Sequence, residues 1–293
     1  MNRNQSHAAF NIAGYTFLTL LALLCLLPCL LVLSGSFSSE RQILTIGYTL
    51  IPEEFSTDAY HTLFKSIGEV LNAYGVTIFV TVCGTLAGLF CTAMTGYVLS
   101  RRNFRYRNQV SFLIFFTTMF SGGLIPWYIL MVRTYHLKDS LLALILPSLL
   151  APFYIFVMRN YVKSIPESVI ESAKMDGAGE WRILVRLILP MCVPALATVG
   201  LFIALDYWNS WMPALLFIDD RAKYPLQYFL YRMLSSVRFA SVVSAKSGVP
   251  TPDLPNESIK MAMSVIATGP IIFLYPFVQK YFISGITIGA VKE

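Results

Sequence analysis

Long stretches without charged residues limit most strongly what this chain can fold into. An α-helix needs about 20 apolar residues to cross the hydrocarbon core of a bilayer. The 293 residues are 56% hydrophobic and only 13% charged, whereas soluble domains carry about 25% charged residues. We therefore predict an all-α membrane protein that forms one transmembrane domain over residues 1–293. Its six predicted transmembrane helices are 12–33, 75–100, 110–132, 141–158, 191–218 and 261–278.

Composition and residue spacing also exclude several functional classes. The net charge is +6, but the basic residues form short clusters between apolar runs, a pattern that does not favour nucleic-acid binding. The five cysteines have no CxxC spacing and the three histidines are far apart, so we expect neither a metal site nor a disulfide. The sequence contains no P-loop, dinucleotide fingerprint or nucleophile–base set, which predicts a non-catalytic chain without a cofactor of its own.

The charges beside the apolar runs predict the orientation of the chain. Four arginines lie between 101 and 107, and basic residues in short loops favour the cytoplasmic side. With this loop inside, both termini and the segment 160–190 are cytoplasmic as well. The loops 37–74, 133–140 and 219–260 then face outward.

The segment 160–190 connects the fourth and fifth predicted spans and is polar enough to lie outside the membrane. Pro166 suits the first turn of a helix, and Gly177 with Gly179 suits the turn that ends one, because glycine adopts positive φ without a steric penalty. The pattern predicts a short helix, a sharp turn and a second helix. On composition alone, this is typical of an ordinary amphipathic helix on the inner leaflet.

The order of residues in this segment resembles a known signature. Glu171-Ser172-Ala173, then Gly177 after three residues, then Leu187-Ile188-Leu189-Pro190 after nine more, resemble the EAA motif of permease subunits of binding-protein-dependent ABC importers. Ser172 replaces an alanine of the motif and Leu187 an isoleucine. The tail 282–292, with the sequence FISGITIGAVK, resembles the C-terminus of six-span carbohydrate permeases of the maltose-transporter type.

Three further motifs are similar to those of polysaccharide and complex-oligosaccharide permeases. They are FSGGLIP at 120–126, YWNSW at 207–211 and YPLQ at 224–227. The resemblance implies a pore-forming subunit in the bacterial cytoplasmic membrane. Such a subunit receives an oligo- or polysaccharide, with alginate among the candidates, from an extracytoplasmic sugar-binding protein.

The resemblance also implies partners and a fold. A type I permease pairs with a second, homologous permease, and two separate ATPase subunits bind ATP and magnesium. In this fold 160–190 is the cytoplasmic coupling segment, whose helix seats in a cleft of the ATPase. The residues that the resemblance places in this contact are Glu171, Ser172, Ala173, Asp176 and Gly177.

Two predicted spans contain irregular residues. The third includes Ser121-Gly122-Gly123 and Pro126, so we expect it to end early and to continue as a short interfacial helix. The fifth contains Asp206, and a carboxylate at mid-span costs at least about 2.5–3.5 kcal/mol. Asp206 should therefore face away from lipid, either on a substrate path with Asn209 or in a hydrogen bond to a neighbouring helix. Trp208 either stacks on a sugar or anchors the end of the span at the interface.

The outward loop 219–260 contains a basic run without an acid between 221 and 246. Such a run docks an acidic face of the binding protein, attracts an anionic sugar, or is merely solvated. Its basic residues are Arg221, Lys223, Arg232, Arg238 and Lys246.

Hydropathy alone leaves other transporter classes open. A secondary transporter or a channel subunit without an ATPase partner would have a similar apolar pattern. A secondary transporter would be expected to carry charges in several spans and inverted repeats, whereas Asp206 is the one acid within the predicted spans. Dependence on an ATPase subunit distinguishes the classes.

Overall fold

The computed structural model describes residues 3–65, 67–247 and 257–272. These ranges form α-helices with short π-helical and 3₁₀ turns, and no strand. The tail at 282–292 and the last part of the sixth predicted span lie outside the described residues. The chain divides into two compact units, Met1–Val70 with Arg232–Pro270 and Leu71–Tyr231 with Ile271–Glu293.

The first unit contains a long exposed helix followed by a folded segment of short helices. Helix α1 spans Arg3–Ser36, α2 spans Glu40–Thr45 and α3 spans Asp58–Phe64. The carboxylate of Glu40 accepts hydrogen bonds from the backbone N–H groups of Glu257 and Ser258, each at 3.0 Å. These groups belong to the first described residues of the helical range 257–272.

The second unit is organised around α4, which spans Ile67–Ser100 and enters this unit at Leu71. Helices α5 (Arg107–Met119) and α12 (Val193–Asn209) both pack on α8 (Pro152–Lys163). A Cβ atom added at Gly96 would lie 2.9 Å from Met158 Cβ and 3.0 Å from the backbone nitrogen of Arg159. One added at Gly84 would lie 2.5 Å from the ring of Tyr207. Glycine therefore permits both close approaches, as small residues do between membrane helices.

Among the residues that the structure describes, two single helices are long and apolar enough to cross a membrane, Asn11–Ser36 and Ile67–Ser100. Three further pairs of helices pass the same test only together, and each pair is sharply bent. Counting every bent pair as one span gives up to five crossings among the described residues. The bent pairs are Arg107–Met119 with Leu124–Thr134 (114°), Leu142–Ser148 with Pro152–Lys163 (50°), and Glu180–Met191 with Val193–Asn209 (83°).

Glycine and proline account for the ends of these segments. Helix α5 ends at Met119, before Gly123, whose φ of 86° interrupts the helical path. Helix α6 (Leu124–Ile129) follows and continues as a π-helical turn to Thr134. Helix α7 (Leu142–Ile145) is separated from α8 by a 3₁₀ turn that contains Pro147.

The region predicted as one fifth span, 191–218, is divided into shorter helices. Helices α9 (Glu167–Met175) and α10 (Glu180–Ile183) precede it, and α11 (Leu189–Met191) contains Pro190. Helix α12 starts after Cys192 and ends at Asn209, and α13 spans Met212–Phe217. Pro190, Pro194 and Pro213 lie in the first turns of α11, α12 and α13, where a missing N–H is tolerated.

The region 219–260, predicted as an outward loop, contains regular structure in its described part. Helix α14 spans Leu226–Ser247. It starts directly after Pro225, and Leu226, Tyr228 and Leu230 in its first turns are buried. These three residues are spaced two apart, a spacing that does not by itself indicate a helix.

Candidate functional site

The segment that carries the EAA-like motif ends its first helix in a Schellman motif. Gly177 has φ 76°, the Ala178 N–H donates to the Ala173 carbonyl at 2.9 Å, and the Gly177 N–H donates to the Lys174 carbonyl at 3.0 Å. This is the hydrogen-bond pattern of a glycine C-cap. Gly179 has φ −70° and precedes α10, so only Gly177 uses the positive φ that the sequence suggested for both.

Glu180 fastens this turn to the end of α4. Its carboxylate accepts hydrogen bonds from the Tyr97 hydroxyl at 2.5 Å and from Lys174 Nζ at 2.5 Å, and it lies 3.7 Å from Arg101. Burial alone would raise the pKa of Glu180, but the bonds from Lys174 and Tyr97 and the nearby positive charges outweigh it. The pKa therefore lies below the ordinary value of 4.5. Sequence analysis missed Glu180, because its partners come from distant parts of the chain.

A second set of contacts holds the start of α9. Arg102 Nε lies 3.2 Å from the Glu167 carboxylate, and Ile170 is buried in the core of the unit. The opposite side of the segment is open to solvent. Its exposed residues include Glu171, Ser172, Asp176, Gly177 and Met175, and Met175 is 89% exposed. Ala173 is partly buried against the core.

The carboxylate of Asp206 has one defined partner within the membrane-spanning region. The Tyr154 hydroxyl donates to Asp206 Oδ2 at 2.6 Å, and Asp206 is exposed in this single chain. Asn209 is also exposed, three residues further along α12, and donates to the Leu205 carbonyl at 2.9 Å. Sequence analysis did not identify Tyr154, since nothing in the sequence of α8 points to α12.

Trp208 is buried, unlike Asp206 and Asn209 on the same helix. Its side chain is only 6% exposed, and its ring centroid lies 6.4 Å from that of Tyr74. A buried indole offers no free ring face to a sugar. This placement removes Trp208 from the exposed candidates for a substrate path.

The basic residues of the region 219–260 have different surroundings. Lys223 Nζ lies 3.6 Å from the carboxylates of both Asp139 and Asp220 and donates to the Asp139 carbonyl at 2.8 Å. Arg221 and Arg232 are exposed. The side chains of Arg238 and Lys246 lie outside what the structure describes. Lys223 therefore serves a local structural connection, which the acid-free run in the sequence did not indicate.

Asp139 organises that connection. Its Oδ1 accepts hydrogen bonds from the backbone N–H groups of Asp219 (3.2 Å) and Asp220 (3.1 Å). The bond from Asp220 is the main reason that the pKa of Asp139 lies below its ordinary range. Within the described part of the chain, no group of three or more His, Cys, Asp or Glu side chains is arranged to hold a metal ion.

Comparison with known families decides the class of this protein. The family described as "Binding-protein-dependent transport system inner membrane component" matches residues 75–288. The chain belongs to this family. The matched region contains the EAA-like segment, Asp206 and α14, so all three features are parts of a permease.

Two relatives and one solved structure resemble this permease over nearly their whole lengths. The polygalacturonan/rhamnogalacturonan transport system permease protein YtcP of Bacillus subtilis (strain 168) is 40% identical over 97% of this chain and 98% of that protein. Protein LplC of the same strain is 38% identical over 100% of this chain and 98% of that protein. A chain in the crystal structure of a bacterial ABC transporter involved in the import of the acidic polysaccharide alginate matches with a TM-score of 0.77. It has 31% sequence identity and covers 95% of this chain and 98% of that chain.

Proposed function

We propose that this permease is one half of the translocation pathway of an ATP-driven polysaccharide importer in the bacterial cytoplasmic membrane. A second, homologous permease supplies the other half, and two separate ATPase subunits bind ATP with magnesium. An extracytoplasmic binding protein delivers the substrate. The family match over 75–288 is the observation that carries this proposal. In the proposed topology, the single transmembrane domain crosses the membrane six times, and the sixth crossing covers 261–278.

The proposed orientation places both termini and 160–190 in the cytoplasm. Its support is the cluster of four arginines between 101 and 107, since short basic loops stay on the cytoplasmic side. Arg101 and Arg102 from this cluster contact Glu180 and Glu167 of the EAA-like segment. These ion pairs favour the same compartment for both segments.

We assign contact with an ATPase subunit to the exposed side of the EAA-like segment. The contact includes Glu171, Ser172, Asp176 and Gly177. Ala173 belongs to the same segment and packs against the core of the unit. The glycine cap and the Glu180 contacts support this assignment, because an element that transmits a push must be held rigidly to a transmembrane helix. The hydrogen bond from Tyr97 of α4 to Glu180, and the ion pairs of Arg101 and Arg102 directly after α4, provide such a connection.

A matched pair of glycine variants tests the coupling assignment. An added Cβ meets nothing within 4 Å at either Gly177 or Gly179, but only Gly177 has positive φ. Valine at a left-handed position costs at least about 1–2 kcal/mol. In proteoliposomes that contain the complete transporter, Gly177→Val should lower substrate-stimulated ATP hydrolysis by roughly tenfold, and Gly179→Val should change it little. Equal activity of both variants and the wild type would refute the assignment.

The proposed substrate is an acidic oligo- or polysaccharide, and alginate is a specific candidate. Support comes from the relative named for polygalacturonan and rhamnogalacturonan transport and from the solved alginate importer. Both names include polymers of uronic acids. Asp206 and Asn209 are the exposed polar residues of α12 that we assign to the path, and Asp206 would repel carboxylates that approach too closely.

Two conservative variants distinguish a role of Asp206 in the substrate path from a purely structural hydrogen bond. Asp206→Asn removes the charge and retains an acceptor for Tyr154, while Tyr154→Phe removes the hydrogen bond and retains the charge. If Asp206 lines the path, Asp206→Asn should change the ratio of acidic to neutral oligosaccharide uptake, and Tyr154→Phe should leave that ratio unchanged. If both variants lower the uptake of acidic and neutral oligosaccharides by the same factor, the hydrogen bond between Tyr154 and Asp206 has a structural role.

We also propose that Arg221 and Arg232 help to dock the loaded binding protein, together with Arg238 and Lys246. The exposure of the first two supports this role, whereas the ion pairs of Lys223 do not. Double charge reversal at Arg221 and Arg232 should weaken docking most at low ionic strength, where screening is weakest. Unchanged docking with a selective loss of acidic sugar uptake would instead indicate direct attraction of the sugar.

A further inference from the structure

A basic cavity lies beside the start of the EAA-like segment, and none of the residues that we assign to the ATPase contact lines it. Its volume is about 440 Å³, and its lining is predominantly polar. A water molecule occupies about 30 Å³ of liquid, so the cavity has room for a phosphate group with several waters. Four cations line it, against the single carboxylate of Glu167; they are Arg101, Arg102, Arg107 and Lys163.

Only part of this positive charge is neutralised within the protein. Arg101 is near Glu180 and Arg102 is paired with Glu167. Within the described ranges, neither Arg107 nor Lys163 forms an ion pair, and Arg159, one turn before Lys163 on α8, forms none either. The Nε of Arg159 is buried and has no hydrogen-bond partner among the described residues.

The three unpaired cations are close enough to affect one another. Burial is the main cause of a lowered pKa of Lys163, and the positive charges of Arg159 and Arg107 lower it further. Positive charges held together without a carboxylate create a potential that favours an anion. Guanidinium groups are suited to phosphate because they donate two parallel hydrogen bonds.

The position of the cavity favours one source of phosphate. Arg107 is the first residue of α5, and large apolar side chains are exposed about one turn further along this helix, with Phe112 66% and Leu113 65% exposed. A cation at the end of an exposed apolar helix lies at the depth of lipid headgroups. Basic pockets between membrane helices at this depth are suited to anionic headgroups.

We propose that the cavity lined by Arg107 and Lys163 binds a phosphate-bearing anion, and that its ligand is the headgroup of an anionic phospholipid. A free phosphate shares the same chemistry, but the adjacent apolar face of α5 favours a lipid with acyl chains. The site is distinct from the proposed ATPase contact. It depends on the membrane location of the permease and not on the identity of the sugar.

The test measures lipid retained by the purified transporter complex. Native mass spectrometry would count phosphatidylglycerol and phosphatidylcholine bound after extraction from vesicles that contain equal amounts of both. The test variant is Arg107→Gln with Lys163→Gln. The matched control is Arg105→Gln, since Arg105 is exposed in the same basic loop but does not line the cavity.

We expect the wild type and Arg105→Gln to retain phosphatidylglycerol in preference to phosphatidylcholine. The double variant should bind phosphatidylglycerol about 30-fold more weakly, the effect of losing two basic contacts at a membrane surface. Equal retention by the double variant and the wild type, or equal retention of the two lipids by the wild type, would overturn the proposal. A second arm adds inorganic phosphate: displacement of the lipid at millimolar phosphate would overturn the lipid assignment in favour of a free anion.

A neighbouring ATPase subunit is the competing source of an acidic group. Repeating the measurement on the permeases without the ATPase subunits resolves this. Retention of phosphatidylglycerol that still depends on Arg107 and Lys163 supports the lipid site. Retention that disappears with the ATPase refutes a site formed by this chain.

Discussion

Helices α1 and α4 have the same length, 34 residues, and each contains an apolar stretch long enough to cross a membrane. Their surroundings differ sharply. None of the apolar window of α1 is buried within the chain, while 33% of that of α4 is buried. In α4, Gly84 and Gly96 allow other helices to approach closely, whereas an added Cβ at Gly14 of α1 would meet nothing within 4 Å. Apolarity determines which segments enter lipid, and small residues determine which of them pack against protein.

The largest expected effect comes from placing the same side chain on both helices. Gly96→Val forces Cβ against Met158 and against the backbone of Arg159, and overpacking of this kind costs about 1–3 kcal/mol. Gly14→Val has free space and should alter stability much less. Thermal unfolding of the purified protein in detergent, followed by tryptophan fluorescence, measures both variants. Equal midpoints for the two would contradict the distinction between the helices.

A smaller effect is expected from removing one buried hydrogen bond beside α4. The Tyr207 hydroxyl donates to the Ile145 carbonyl at 2.8 Å, and Tyr207 is 3% exposed. Tyr207→Phe should destabilise the protein by about 0.5–1.5 kcal/mol. Tyr15 on α1 is 72% exposed, so Tyr15→Phe should have almost no effect in the same assay. A larger loss from Tyr15→Phe would show that α1 has a partner that its exposure in the single chain conceals.

The smallest effect concerns pH and the C-terminal end of α4, where Tyr97 contacts Glu180. Because the pKa of folded Glu180 lies below its ordinary value of 4.5, its stabilising contribution is fully present above that value. The contribution is lost as pH falls through the lower, folded value. The difference in unfolding midpoint between the wild type and Glu180→Gln should therefore be constant near neutral pH and should shrink below about pH 4.5.

Glu171→Gln is the control for this experiment. Glu171 is exposed and forms no ion pair within the described residues, so its substitution should leave the unfolding midpoint unchanged at neutral pH. A pH-independent difference between Glu180→Gln and the wild type would show that the charge of Glu180 does not fasten the turn to α4.

Local sequence predicted much of the EAA-like segment. Gly177 ends α9 in a left-handed conformation, and a glycine at this position is a local signal that needs no distant partner. Glu180 gave no comparable signal, because its role depends on Tyr97 of α4 and on Arg101, the residue directly after α4. Residues that act through neighbours close in sequence were predictable, and residues that act through distant neighbours were not.

The difference between contacts close in sequence and contacts with distant residues also applies to α12 and to the basic run after it. The motif around 207–211 was visible in the sequence. The burial of Trp208, whose ring lies near Tyr74 of α4, and the bond between Tyr154 of α8 and Asp206 of α12 depend on contacts between distant helices. The acid-free run from 221 to 246 was compatible with docking a binding protein, with attracting an anionic sugar or with simple solvation. Asp139, distant in sequence, pairs with Lys223 and changes the interpretation of that residue.

The sequence by itself determined that this protein is helical, that it enters a membrane, and that one polar segment carries the family motif. These properties follow from transfer free energy and local backbone preference, which sum over neighbouring residues. Only the tertiary structure decided where the apolar runs bend, at which glycines another helix packs closely, and which charges are neutralised. Hydropathy gives the same value whether an apolar side chain meets lipid or protein, so the partner of each helix is a matter of shape and small-residue contact.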